Sequence, residues 1–250
     1  MPTPVNLLRP TQEAFDHHKN HQEEHRIGNP LRDVILGGQD GMVNALGIVL
    51  GVAAAGGNAH ILVLTVLAAS AAEAISMGAV AYTSAVSQRD YYEAELIKEK
   101  KEIEMYPEME KEEVRRIFEQ KGFKGKVLEE IVATIVSDKK IWTDTMMREE
   151  LGIEKVETRN IFRSAAIVGI TTAIGSLVPL IPFTLNTWAH MTFNEEIIGA
   201  IIVCAIALFG VGAYQALSLV GSWWKSGIRM VLIGLSAAFI GYIFAKLIQG

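Results

Sequence analysis

The sequence predicts an all-α, polytopic membrane protein with a charged helical insert between its second and third spans. Three observations carry this. Half of the 250 residues are hydrophobic and mean hydropathy is +0.26. The apolar residues are gathered into five runs that each approach or exceed the ~20 residues needed to cross a ~30 Å hydrocarbon core. One long stretch between these runs is acidic and rich in helix formers. Runs of this length exclude barrel strands, so the spans are helices.

Residues 1–33 are polar and hold no apolar core of signal-peptide length, so they read as a cytoplasmic N-terminal arm. Within it, "HHKNHQEEH" sets His17, His18, His21 and His25 at spacings that could bind metal weakly on a helix. The plainer expectation is a floppy polar arm. The spans are expected at roughly 34–56, 61–87, 161–186, 197–220 and 230–248. "GGNAH" is a tight turn between the first two. "PLIPF" bends or ends the third at Pro179 and Pro182. The single cysteine, Cys204, rules out an internal disulfide and any cysteine metal cluster.

Residues 88–158 hold 19 acidic and 14 basic side chains, which accounts for the whole net charge of −5. Three helices are expected there. The first, 88–105, continues span two. The second, 108–121, starts at Pro107 and stops at Gly122. The third, 126–151, stops at Gly152. Lys and Arg concentrate in the arm, the insert and the 221–229 loop, and are absent from "GGNAH" and 186–196. The bias places the N-terminus and insert in the cytoplasm and the C-terminus outside. The domain plan is thus an arm (1–33), two spans (34–87), a Glu/Met-rich domain (88–158) and three spans (159–250).

Two charges lie inside the first two spans: Asp40 in "VILGGQDGMVNALGIVLGVAAAG" and Glu73 in "LAASAAEAISMGAVAYTSAVS". A carboxylate at mid-membrane costs roughly 2.5–3.5 kcal/mol even on the gentlest scale, so each is a functional candidate. These two spans contain no Lys or Arg to pair with them. Asn44 follows Asp40 by one turn, Met77 follows Glu73 by one turn, and Ser70 precedes Glu73 by three residues. Carboxylate, amide and thioether together suit a borderline transition metal better than Mg²⁺ or Ca²⁺. The alternative is a protonated structural carboxyl bonded across the hairpin. Gly47/Gly51 and Ser70/Ala74/Gly78 follow the spacing that lets membrane helices approach closely, within the subunit or across a dimer.

In the insert, Glu99 and Glu102 are spaced i,i+3, as are Glu110 and Glu113; Met146, Met147 and Glu150 lie within one turn on the third helix. Folded together they could surround a divalent metal with oxygen and sulfur. The competing reading is a solvated Glu/Lys face over a small core of Ile103, Val114, Ile117, Phe118, Leu128, Ile131, Ile135 and Trp142. The insert has no ExxH, which argues against a di-iron ferroxidase bundle.

"RDVILGGQDGMVNALGIVLGVAAAG", "AASAAEAISMGAVAYTS" and "SLVPLIPF", with this insert, resemble the vacuolar iron transporter family over about residues 30–248. The resemblance is to the insert-bearing branch; nodulin-like plant relatives lack the insert. It implies a homodimer without permanent cofactor or enzymatic activity, and no nucleic-acid partner. It also implies a secondary-active transporter that moves Fe²⁺, and often Mn²⁺, out of the cytoplasm in exchange for protons. Co²⁺ and Zn²⁺ are further candidate cargoes. Asp40, Glu73 and Met77 match the family's membrane path, and Asn44 joins them by its position. Glu99, Glu102, Glu110, Glu113, Met146, Met147 and Glu150 match its metal-binding domain. The membrane would be the plasma membrane in a prokaryote and a vacuolar or other endomembrane in a eukaryote. The alternative is a membrane-anchored metal sensor or ferritin-like store without transport. A proton or sodium pathway without metal is a third possibility, which the methionines disfavour.

Overall fold

The computed structural model describes residues 30–156, 158–218 and 221–249. The histidines of the N-terminal arm lie outside these. Every regular element among the described residues is helical. In chain order they are α1 (Pro30–Ala54), α2 (Ala59–Met105), α3 (Pro107–Gln120), α4 (Gly125–Val136), α5 (Lys139–Glu149), α6 (Thr158–Leu177), a 3₁₀ turn (Val178–Leu180), α7 (Ile181–Ala189), α8 (Phe193–Ser218) and α9 (Trp223–Gln249). Five helical stretches are long and apolar enough to cross a membrane: Pro30–Ala54, Ala59–Met105, Asn160–Leu185, Phe193–Ser218 and Trp223–Ile248. The chain is a multi-pass membrane protein.

Local chemistry sets the helix ends. Gly56 turns the chain with φ +70°, and the Asn58 side chain caps α2 by accepting from the Ile61 amide at 3.0 Å. α2 then runs 47 residues, about 70 Å at 1.5 Å per residue. It continues past the apolar run without a break, as expected. Pro107 opens α3, and Gly122, at φ +96°, closes it. There the Phe123 amide donates to Phe118 and the Gly122 amide to Glu119, with the two phenyl rings in contact.

The expected single helix 126–151 is two helices, α4 and α5. The Asp138 side chain accepts from the amides of Lys140 (2.7 Å) and Ile141 (3.2 Å) and so starts a new helix. A short acidic side chain caps a helix start better than it sits in a helix interior. The expected 221–229 loop also shrinks, because α9 begins at Trp223. Hydropathy marks only the hydrocarbon-length core of a span, while the backbone stays helical into the interfacial residues. "PLIPF" bends the third span rather than ending it. Pro179 sits in the 3₁₀ turn and Pro182 in the first turn of α7.

Helix α1 is the hub, packing against α2, α6, α8 and α9, while α6 also lies along α2. Leu46, Val49, Leu62, Val66, Phe183 and Cys204 form an apolar cluster across these spans. The close approaches fall elsewhere than the Gly47/Gly51 pair. A Cβ on Gly41 would strike the Thr172 carbonyl of α6, and one on Gly169 would come within 2.9 Å of the Ala74 carbonyl of α2. Gly51 has nothing within 4 Å of such a Cβ. Ser70, Ala74 and Gly78 keep part of their expected role, since Gly78 meets Gly169. Separately, α3, α4, α5 and the distal part of α2 surround Ile103, Val114, Leu128, Val132, Ile135, Trp142 and Met146.

Gly41→Val should force α1 and α6 apart and cost about 1–3 kcal/mol. Thermal melting of the detergent-solubilised protein checks this, with Gly51→Ala expected to stay within about 0.5 kcal/mol of the parent.

Candidate metal centre

Glu99, Glu110 and Glu150 arrive from three helices. Glu99 is one turn before the buried Ile103 on α2, and Glu110 is one turn before the buried Val114 on α3. The faces that bury the small apolar core therefore also draw these carboxylates inward. Glu150 caps the end of α5, its amide donating to Met146 at 3.0 Å. One carboxylate oxygen from each of the three lies within 4.8 Å of the others. Glu99 and Glu110 are only 4% and 5% exposed, whereas Glu150 opens to solvent.

Three negative groups this close cannot all stay ionised without a counter-charge. Burial, then the charges of Glu110 and Glu150, push Glu99 up to about 8. Burial and the Glu113 charge raise Glu110, although the proton that Glu99 donates to it acts the other way. Burial and the charges of Glu113 and Glu102 raise Glu150 against the single opposing cation, Lys98. Buried oxygens remain without a hydrogen-bond partner, Glu99 Oε1 and Glu110 Oε2. The sign of the linkage follows. Glu99 is protonated more readily folded than unfolded, so its contribution to stability is lost as pH rises from the ordinary carboxylate range through about 8.

The solvated-face reading holds for other glutamates. Glu112 pairs with Arg115 at 3.1 Å, Glu104 with Lys139 at 3.2 Å, Glu129 with Arg115 and Glu149 with Lys121. None of the described ion pairs takes in Glu99, Glu102, Glu110, Glu113 or Glu150. Glu102 and Glu113 bear on the centre through their charge but stand outside the close group of three. Both methionines are buried: Met146 in the apolar cluster with Trp142, and Met147 on the floor of an adjoining cavity.

Within the spans, Asp40 and Asn44 on α1 face Glu73 on α2. The Asn44 amide and the Asp40 charge both act on the Glu73 carboxylate. The second oxygen of Glu73, Oε2, is buried without a partner, and so is Ser70 Oγ. Met77 is half-buried one turn from Glu73. Asp40 also lines a small cleft of about 160 Å³ between α1 and α9 beside Gln39, Ile233 and Gly234. The structure thus gives two sets of under-satisfied carboxylates, both including residues of α2.

Two buried acids were not singled out from sequence. Asp33 is 7% exposed in the first turn of α1, and Glu196 is 2% exposed on α8. For Glu196 a signal was present. Ala200, Cys204 and Leu208 follow it at four-residue steps, the buried row of α8.

The sequence pattern of the VIT family matches residues 31–246. The chain is similar to vacuolar iron transporter 1 of Tulipa gesneriana, 31% identical over 243 residues, spanning 96% of each protein. It is 29% identical over 247 residues to vacuolar iron transporter 1 of Arabidopsis thaliana, covering 99% of this chain and 96% of that one. The vacuolar iron transporter of Toxoplasma gondii is 29% identical over 94% of this chain and 78% of its own. With the match running from the first turn of α1 almost to the end of α9, the protein belongs to the VIT family.

Proposed function

We propose that this protein carries divalent iron, and related ions such as Mn²⁺, out of the cytoplasm in exchange for protons. The observation that carries the reading is the Glu99–Glu110–Glu150 group, three carboxylates outside the described ion pairs, one of which, Glu99, lies on the helix that also holds Glu73. The similarity to proteins named vacuolar iron transporters supports iron as cargo and a vacuolar or related membrane as the setting. The charge bias of the sequence supports a cytoplasmic position for α3–α5 and the N-terminus.

In this reading α2–α5 form a cytoplasmic metal-binding domain. An incoming cation takes the place of the Glu99 proton and relieves the repulsion among Glu99, Glu110 and Glu150, with Glu102, Glu113, Met146 and Met147 completing the domain's ligand supply. It then passes to Asp40 and Glu73, where Asn44 orients the Glu73 carboxylate and Met77 favours softer ions. A second copy of the chain completes the path along the exposed Asp40 face of α1. Protons released and regained by these carboxylates couple metal movement to a proton gradient. A mere membrane tether would need neither Glu73 nor its partner Asn44.

In proteoliposomes, Glu73→Ala should abolish metal-driven proton flux, and Asn44→Ala should reduce it roughly 10–100-fold by releasing the orientation of Glu73. Unchanged flux in Glu73→Ala defeats the assigned path. Calorimetric titration of the full-length protein with Mn²⁺ should show affinity rising from about pH 6 to about pH 8, because each bound metal must displace a proton. Glu99→Gln should weaken binding and flatten that slope; a pH-independent parent would remove Glu99 from the exchange. Added Mn²⁺ should also raise the melting temperature, more so at the higher pH, where the metal-free carboxylates repel most.

A further inference from the structure

A second site lies beside the metal centre. A cavity of about 620 Å³ opens between α2, α5 and the segment leading to α6. Its floor is apolar: Tyr92, Ile103 and Met147 are buried, and Leu96 and Ile153 add to the wall. Its rim is basic. Lys100 comes from α2, Lys139, Lys140 and Arg148 from α5, and Lys155 from the following segment. These are five of the 14 cations in a stretch whose net charge is −5, so their convergence runs against the local balance.

Only Lys139 is neutralised there, by Glu104 at 3.2 Å. Lys100, Lys140, Arg148 and Lys155 have no ion-pair partner among the described residues, and Asp144 is the one other acid on the rim. Lys140, Asp144 and Arg148 follow one another at four-residue steps on α5, facing Lys100 and Glu104 on α2. Surplus cations around an apolar floor form a receptor for an anion with an organic body. A guanidinium fork among them favours phosphate, which it grips through two parallel hydrogen bonds. The volume lies in the range of small-molecule sites and far exceeds inorganic phosphate.

We propose that this cavity binds a phosphate ester, with the phosphate held by Lys140, Arg148, Lys100 and Lys155 and its organic body resting on Tyr92, Ile103 and Met147. Two sources share that chemistry. One is a soluble nucleotide. The other is a phospholipid headgroup, since Tyr92 is only three residues beyond Arg89, the first charge after the apolar run of α2, and Lys155 lies five residues ahead of the third span.

The test uses the full-length protein in phosphatidylcholine nanodiscs, washed with chelator. One arm titrates ATP by calorimetry. The other compares melting in phosphatidylcholine discs with discs containing phosphatidylinositol 4-phosphate. Lys140→Glu with Arg148→Glu should weaken binding about tenfold or more. Lys124→Glu with Lys126→Glu, an equal charge change on exposed residues outside the cavity, should leave it unchanged. ATP binding lost only in the cavity pair assigns a soluble ester, and a lipid-dependent melting shift lost only there assigns a headgroup. If the cavity pair melts abnormally, Lys100→Gln with Lys155→Gln supplies the same comparison. No response in either arm, or equal loss in the control pair, overturns the proposal.

Discussion

The constraint on which this structure turns is negative charge held without a positive partner. Around α3–α5, ion pairs take up Glu104, Glu112, Glu129 and Glu149 and pass over Glu99 and Glu110, which the small core pulls inward, and Glu150 beside them. Within the bilayer the same problem recurs at Glu73, which has an amide, a nearby like charge and an orphaned oxygen. Low dielectric makes both arrangements costly unless a proton or a cation is present. In the proposed function, that cost is what each place relieves by taking up a proton or a cation.

Helix α2 gives the two places a common frame. Its 47 residues include Glu73, Glu99 and Glu102, so the intramembrane carboxylate and the outer cluster are separated by one unbroken rod. The rod is held at its membrane end by backbone-to-backbone packing. Gly78 and Gly169 let α2 and α6 touch, and Gly41 does the same for α1 and α6. Without a hydrophobic driving force between helices in lipid, such close packing is the main source of their association. It sets Asp40 and Asn44 opposite Glu73.

The faces of α2 and α5 divide the work. Glu99 and Glu150 join the acidic cluster, while Lys100, Lys140 and Arg148 border a basic cavity. Met147 shows why these faces are hard to separate on paper. It adjoins Met146 in sequence, yet Met146 enters the apolar core and Met147 the cavity floor. Neighbours on a helix point about 100° apart, and only the partner helices decide what each direction meets.

The sequence by itself determined the five spans, the unbroken passage of α2 out of the apolar run, the stops at Gly122 and Gly152, and the candidate acids. Each rests on local rules: run length against bilayer thickness, glycine at positive φ, and the cost of charge in hydrocarbon. It did not foresee Asp138 splitting 126–151, because capping and continuation differ there by little and the surrounding packing tips the balance. Spacing marks Gly47 and Gly51 for close contact within the subunit or across a dimer; within the chain the approaches include Gly41, Gly78 and Gly169 instead, since small residues permit contact without choosing a partner. Only the tertiary structure separated Glu99, Glu110 and Glu150 from their ion-paired neighbours. Burial and counter-charge are properties of three helices meeting, and no single stretch of sequence contains them.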